Sequence, residues 1–343
     1  MDATRLEELL ARWPGLRFVV LGDYFLDRYL DIDRSLAEVS LETGLEAHQV
    51  VAIRNSPGAA GNVAANLAAL GARVQALGVI GEDGLGYDLA RALEGRGIDT
   101  AGLVRSAARY TPTYTKPMLR EADGRVHEAS RLDVKNRTPL PAAIEDDLLA
   151  RLANLLPACD GVLVADQAPE RNCGVVTDRV REALGALAAE HPEKVFLVDS
   201  RTRIGEYRGV MLKPNDREAI GAVSPGETAP LTRERAEEAG RALARRAGRP
   251  VFVTIGAGGV LVCDGEGCTR VPAVPVTGAI DIVGAGDSTI AGLAAALAAG
   301  ATCEEAALVG NLVASVTIRQ IGVTGTATPA QVRAALGDWR REG

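Results

Sequence analysis

A carboxylate stands directly behind three small residues in Asp281-Ile282-Val283-Gly284-Ala285-Gly286-Asp287, and an uncharged, alanine-rich run with helical spacing follows to about residue 299. The pattern reads as a tight loop opening a helix, with Asp287 in its first turn. Glycines allow a sharp turn and let a ligand reach the amides. Free N–H groups at a helix start bind anions, and the dipole favours negative charge there. A phosphoryl group in transfer spreads charge over three oxygens and needs such donors. The amides of Gly284, Ala285, Gly286 and Asp287 are candidates for that cradle, and the Asp287 carboxylate could accept the proton of an attacking hydroxyl. An ordinary capped helix behind a glycine loop has the same local sequence, because short glycine motifs recur by chance.

Other residues carry compatible chemistry. Asn62, in Pro57-Gly58-Ala59-Ala60-Gly61-Asn62, can donate to and accept from a hydroxyl. Asn215 and Glu218, in Lys213-Pro214-Asn215-Asp216-Arg217-Glu218, are three apart and share a helix face. An amide and a carboxylate so placed can order water around Mg²⁺, which keeps several waters when it binds phosphates. A threonine-rich alternating stretch from residue 110 to 133 carries Lys116, Arg120 and Arg131. It is either a solvated hairpin or part of a lid whose Lys116 or Arg131 faces a substrate phosphate. Asp23 and Asp27 lie four apart in Gly22-Asp23-Tyr24-Phe25-Leu26-Asp27-Arg28-Tyr29.

These side chains need a scaffold, and its elements are legible. Thr4-x-x-Glu7 has the capping-box pattern of a first helix, which Pro14-Gly15 ends. Residues 17–21 read as a buried strand, so Asp23 and Asp27 fall near its C-terminal end, where open α/β sheets bind ligands. Residues 29–55 read as short strands of a flap. A glycine-rich turn then leads into a helix carrying Asn62. Asp83 caps a helix that ends near residue 94, and Asp123-Gly124 turns a hairpin. From residue 141 onward strands and helices alternate. The apolar runs 161–165 and 195–198 end at Asp166 and Asp199, each of which borders a site or caps a loop. Buried strands separated by long helices imply a parallel sheet with right-handed crossovers. The expected class is α/β: a mostly parallel central sheet flanked by helices, with a small β-strand lid.

Composition bounds the function. The chain has 343 residues, 47% of them hydrophobic and 24% charged, which suits one α/β domain over residues 1–343 with lid segments inserted at about 28–56 and 108–135. A net charge of −7 argues against nucleic acid or an anionic membrane as partner. The five cysteines are odd in number and lack C-x-x-C spacing, which predicts reduced thiols in a cytoplasmic protein and no zinc site. The N-terminus lacks signal-peptide features, and the longest uncharged run, 55–72, contains Pro57 and several glycines and so is no membrane helix. Gly-Lys occurs nowhere, so there is no Walker A loop.

Asp281-x-x-Gly284-Ala285-Gly286-Asp287 resembles the C-terminal signature of the ribokinase-like (PfkB-type) sugar kinases, with Ile282 where Thr is usual. Gly58 and Asn62, Asn215-x-x-Glu218, and Thr254-x-Gly256-x-x-Gly259 follow that family's order, and the likeness extends over about residues 17–330. Ala59 stands where a second Gly is usual. The resemblance implies a ribokinase-like fold and transfer of a phosphoryl group from ATP with Mg²⁺. It implies Asp287 as base, the Gly284, Ala285 and Gly286 amides as anion hole, and Asp27, Gly58 and Asn62 on the sugar. Asn215 and Glu218 would place Mg²⁺, Glu218 through water. Thr254, Gly256 and Gly259 would line the nucleotide, and Asn311 would lie near the adenine. The loop 322–326 has the pattern of a monovalent-cation site, such as for K⁺, and a homodimer would cover the lid's edges.

Gly22-Asp23-x-x-Leu26-Asp27-Arg28-Tyr29 and Arg131-Leu132-Asp133 are similar to the bacterial heptose 7-phosphate kinases. Ser40-Leu41-Glu42 lacks the proline those enzymes have there, and the Pro-Val-Pro that should follow is Thr43-Gly44-Leu45 here. The resemblance therefore implies ATP-dependent phosphorylation of a sugar or sugar phosphate, with heptose 7-phosphate at its 1-hydroxyl as the leading substrate. A kinase for another sugar or a nucleoside is the alternative. A non-catalytic sugar- or nucleotide-binding protein is the reading from another class, which intact Asp287, Asn215 and Glu218 oppose.

Overall fold

Strand Arg17–Gly22 buries Phe18 and Val20 in one hydrophobic cluster and Val19 and Leu21 in another. The same alternation recurs in strands Gly161–Asp166, Val195–Ser200 and Val251–Thr254. Successive side chains of a strand point to opposite faces, so an apolar run is buried on both sides only if helices cover both. The computed structural model, which describes residues 1–226 and 229–342, shows that arrangement. An eight-stranded sheet runs in the order Cys268–Val271, Val260–Cys263, Val251–Thr254, Met211–Leu212, Val195–Ser200, Gly161–Asp166, Arg17–Gly22, Arg73–Leu77. The pairs from Val251–Thr254 to Arg73–Leu77 are parallel, and the two outermost pairs at the other edge are antiparallel.

Helices Ala3–Arg12, Ala60–Ala69, Ala285–Ala298, Cys303–Thr317 and Pro329–Glu342 build the core on one face. Helices Ala142–Leu155, Asp178–Glu190, Asp216–Val223 and Arg233–Ala247 build the other. The helices Ala285–Ala298 and Cys303–Thr317 approach so closely that a Cβ at Gly292 would lie 3.0 Å from the Gly310 Cα. The fold is α/β, a mostly parallel sheet flanked by helices, as expected.

A second sheet pairs Val126–Glu128, Thr113–Arg120, Tyr24–Asp33 and Val50–Ala59 in that order, with Leu132–Val134 also on Thr113–Arg120. The flap is thus built on two ten-residue strands, 24–33 and 50–59, rather than on short strands alone. Gly124, at φ 83°, turns the Asp123-Gly124 hairpin as expected.

Three local expectations are corrected. The first helix is capped by Asp2, whose carboxylate accepts from the Arg5 N–H at 2.8 Å, and not by Thr4. Asp23, at the joint between two strands, is buried and accepts three backbone N–H groups, those of Gln167, Ala168 and Val175. It organises that loop instead of facing a ligand. Cys263 and Cys268 form a disulfide where reduced thiols were expected, because the antiparallel register of strands 260–263 and 268–271 sets them opposite each other. Cys159, Cys173 and Cys303 are free. No helix among the described residues is long and apolar enough to cross a membrane.

Candidate functional site

The C-terminal ends of the parallel strands all open on one side of the sheet, and the helix Ala285–Ala298 begins there. Gly284 caps that helix at φ 80°, in the left-handed region where glycine is favoured. A Cβ at Gly284 would lie 2.6 Å from the Thr324 Cγ2, so the position is closed to a side chain as well. No side chain caps the helix. The Ala285 amide donates to the Ile282 carbonyl at 3.1 Å. Among the described residues no acceptor meets the amides of Gly286 and Asp287. Of the four expected donors, the Ala285 amide is thus taken up within the turn. Ile282 itself is exposed.

Asp287 sits in the first helical turn, and its Oδ2 accepts from the Asn62 Nδ2 at 3.0 Å. Asn62 lies in the first turn of helix Ala60–Ala69 and is buried. The sequence placed Asn62 beside a sugar; the structure places its amide on the candidate base. Burial first, and then the charge of Asp199, push the Asp287 carboxyl up to about 7, against the pull of Asn62, Lys213 and Arg201. A group near neutrality is suited to proton transfer at physiological pH.

Lys213 is 2% exposed and its Nζ lies 3.0 Å from the Asp199 Oδ2. A Cβ on Gly286 would come within 3.5 Å of that Nζ, so the ammonium stands beside the anion cradle. Burial opposes its charge, yet Asp199, Glu218 and Asp287 together hold it above the ordinary lysine value. Lys213 and Arg201 in turn draw the Glu218 and Asp287 carboxyls down. The sequence reading missed Lys213, Arg201 and the side chosen by Asp199. The available signal was that Lys213, one of only four lysines, directly precedes Pro214-Asn215.

Asn215 and Glu218 do not simply share a helix face. Asn215 is the N-cap of helix Asp216–Val223 and Glu218 is its third residue; the Asn215 Oδ1 accepts from the Glu218 N–H and the Glu218 Oε2 from the Asn215 N–H, both at 2.8 Å. This capping box fixes the pair while leaving the second Glu218 oxygen for another partner. Burial, then Asp199, raise the Glu218 carboxyl above its usual range. Among the described residues no three His, Cys, Asp or Glu side chains converge to hold an ion directly. Mg²⁺ bound mainly through water and phosphate needs no such cage, and the surplus of carboxylates over cations fits a divalent ion.

Thr254 ends its strand against the same segment: its N–H donates to the Pro214 carbonyl at 2.9 Å. Gly256 has φ 56° and open space around it, whereas a Cβ on Gly259 would lie 2.2 Å from the Val271 carbonyl oxygen. Asn311 is buried, and its Nδ2 donates to the carbonyls of Val271 and Pro272 at 3.2 and 2.9 Å. It ties helix Cys303–Thr317 to the hairpin that carries the glycine loop.

In the second sheet, Asp27 and Lys116 form an ion pair of 3.1 Å. A Cβ on Gly58 would lie 2.8 Å from the Asp27 Oδ2, so Gly58 leaves that carboxylate its place. The Lys116 Nζ also donates to the Tyr29 hydroxyl at 3.1 Å. Arg131 is held by Asp133, with Nε–Oδ1 at 2.6 Å, and lies over the Tyr114 ring. The loop after helix Cys303–Thr317 returns to the organising motif, where the Asp281 Oδ2 accepts from the Gly322 N–H at 3.2 Å. A cavity of about 380 Å³ between the first and last helices, lined by Leu6, Glu7, Arg333 and Leu336, shares no residue with this cluster.

Comparison with known proteins shows the family and the fold. The pfkB family carbohydrate kinase profile matches residues 25–331. The bifunctional protein HldE of Trichlorobacter lovleyi is 31% identical over 98% of this chain and 66% of its own length. That of Azorhizobium caulinodans is 35% identical over 96% of this chain and 66% of its own. The chain thus spans about two thirds of the length of these relatives. Among solved structures, phosphofructokinase-2 from Escherichia coli in complex with substrates and products superposes with a TM-score of 0.69 at 20% identity, covering 95% of this chain and 100% of that one. Ribokinase from Arabidopsis thaliana complexed with ribose and ATP gives 0.65 at 20% identity, covering 94% and 98%. At these identities the structural likeness speaks for the fold.

Proposed function

We propose that this chain, which belongs to the pfkB family of carbohydrate kinases and is a phosphotransferase, transfers a phosphoryl group from ATP to a sugar phosphate, with heptose 7-phosphate at its 1-hydroxyl as the substrate. The observation that carries the reading is the Asp287 carboxyl, pushed up to about 7 beside two free helix amides and a buried lysine. In the proposed reaction the Asp287 carboxylate takes the proton of the sugar hydroxyl. The hydroxyl oxygen bonds to the γ-phosphorus, and the bond from that phosphorus to the bridging oxygen breaks, leaving ADP. The Gly286 and Asp287 amides and the Lys213 ammonium stabilise charge on the phosphoryl oxygens. Asn62 holds the carboxylate in place.

In this reading Asp27 and Gly58 face the sugar, Lys116 and Arg131 its phosphate, and Thr254, Gly256, Gly259 and Asn311 frame the nucleotide. Asn215 and Glu218, with Asp199 nearby, hold Mg²⁺ through water; when bound, the ion offsets phosphate charge. A monovalent cation such as K⁺ would act at the 322–326 loop, which Asp281 ties to the organising turn. The heptose assignment rests on the resemblance of Gly22-Asp23-x-x-Leu26-Asp27-Arg28-Tyr29 and Arg131-Leu132-Asp133. A second copy of the chain would cover the exposed apolar residues of the lid, Leu36, Val39, Leu41, Leu45, Val51 and Ile53.

The test is a coupled ADP-release assay of the wild-type chain over paired sugars and sugar phosphates. Turnover is expected with heptose 7-phosphate and much less with the free heptose. ADP release with no sugar of the panel would overturn the kinase reading, and a preference for the neutral sugar would overturn the substrate class.

A further inference from the structure

The lid carries several cations, and one of them is held differently from the rest. Arg54 makes a bidentate pair with Asp31 at 3.0 and 2.9 Å. Arg131 is held by Asp133. Neither acid is proposed to take part in binding. Lys116 is different, because its partner Asp27 is itself the proposed acceptor of a sugar hydroxyl. The pair is well shielded: the two side chains are 17% and 15% exposed.

Gly58, having no side chain, leaves the Asp27 Oδ2 its place, since a Cβ there would come within 2.8 Å. The Asp27 Oδ1 is the atom Lys116 holds at 3.1 Å. A sugar hydroxyl that meets this carboxylate must share it with the ammonium, which already holds its charge. Lys116 has somewhere to move from and something to keep: the Tyr29 hydroxyl lies 3.1 Å from its Nζ, and the Nζ stands 4.7 Å from the Tyr29 ring centroid. Register places the three residues together, since Asp27 pairs with Tyr114 and Tyr29 with Lys116 across parallel strands, putting all four side chains on one face of the lid.

Resting on the sugar-phosphate reading above, we propose that the Asp27–Lys116 ion pair is a selectivity gate, in which an anionic group on the substrate draws Lys116 away and so frees Asp27 for a sugar hydroxyl. Separating a shielded pair strands both charges unless each finds a new partner. A neutral sugar replaces only one side: its hydroxyl meets Asp27, and Lys116 is left with the neutral Tyr29. Burial already weighs against the Lys116 charge, which Asp27 and Tyr29 hold up. A sugar phosphate replaces both sides, its hydroxyl meeting Asp27 and its phosphate meeting Lys116 in a charge-assisted bond. The phosphate then contributes twice, by binding Lys116 and by releasing Asp27.

The experiment is calorimetric binding, without nucleotide, of heptose 7-phosphate and of the free heptose to the wild-type chain, Lys116→Met and Lys116→Arg. Wild type should prefer the phosphorylated sugar by about tenfold or more. Lys116→Met should bind the phosphate more weakly and the free heptose more tightly, so that the ratio collapses toward one, while Lys116→Arg keeps the preference. A lysine that merely supports the lid would weaken both ligands together when removed. An unchanged ratio in Lys116→Met, or equal weakening of both sugars, overturns the gate, as does a wild type that binds neither. Lys116→Gln replaces Met if Met fails to fold. Because the readout is binding, a chain that shows the collapse but releases no ADP in the turnover assay refutes the kinase reading and leaves the gate standing.

Discussion

The Asn62 amide donates to the Asp287 carboxylate across 3.0 Å, joining two helix starts that lie 225 residues apart in the chain. A buried carboxylate that accepts such a bond is both oriented and held nearer to ionisation than its surroundings alone would allow. The first two predictions follow from that contact.

Asp287→Asn keeps the shape but cannot take a proton at neutral pH. The variant should slow kcat by roughly a hundredfold or more, the usual scale for a positioned base, or about 3 kcal/mol of barrier. ATP affinity and fold should persist. An Asp287 with no catalytic role would instead leave turnover unchanged. Measuring melting, ATP affinity and turnover on the one variant separates the two, and near wild-type turnover would remove Asp287 as base.

The acid limb of kcat/KM should have its midpoint near pH 7, where the Asp287 carboxyl is held. Asn62→Leu removes a group that favours the anion, so the limb should move to higher pH. Asp199→Asn removes a repelling charge, so it should move to lower pH. Stability carries the same sign. The native carboxyl keeps its proton up to about pH 7, whereas an unfolded aspartate loses it near 3.9. Across that window the native state binds more protons, so this group's contribution falls as pH rises. Asp287→Asn should accordingly gain on wild type as pH rises from about 4 to about 7 in thermal melts, and keep that gain above it. Limbs that do not separate in the two neighbours' variants would refute the assignment.

Glu218 has two jobs that substitution can divide. Glu218→Ala loses the capping box as well as the charge and should cost about 1 kcal/mol of stability. Glu218→Gln keeps an acceptor for the Asn215 N–H but weakens the hold on Mg²⁺. Both should lower turnover at limiting Mg²⁺, and excess Mg²⁺ should restore more of it in Gln. Wild-type kinetics at limiting Mg²⁺ in either variant would show that Glu218 does not serve the ion.

Ala59 is held at φ 51°, ψ −117°, a conformation that favours glycine. Such strain costs of order 1–3 kcal/mol, and glycine's extra unfolded entropy costs roughly 0.5–1 kcal/mol. Ala59→Gly should therefore stabilise the chain by about 1 kcal/mol, read as a raised melting temperature. A lower one would refute the strain.

Light scattering at micromolar concentration should show a homodimer, and Val51→Lys, a charge on the apolar edge strand 50–59, should dissociate it. A monomeric wild type would exclude the lid-to-lid assembly.

What the chain's local chemistry decides was legible in the residues. Asp83 caps its helix, with its Oδ1 accepting from the Gly86 N–H at 2.7 Å, because an N-cap is a bond between neighbours. The Asp123-Gly124 turn, the apolar strands at 161–166 and 195–200, and the helix opening at Gly284 are of the same kind, since period and turn residues act within a few positions. Even here local signals compete: Asp2 and Thr4 both suit an N-cap, and the helix begins after Asp2.

The site's electrostatics belonged to the tertiary structure alone. That Asn62 reaches Asp287, that Lys213 is buried against Asp199 beside Gly286, and that Lys116 closes on Asp27 depend on the order in which parallel strands stack, which no short window of sequence encodes. The same holds for Cys263 and Cys268, which only a hairpin's register sets opposite each other. Residue type determines which charges the chain possesses. Burial and distance, which exist only in the fold, decide which of them pair, which carboxyl rises toward neutrality, and which amides at a helix start stay free for a ligand.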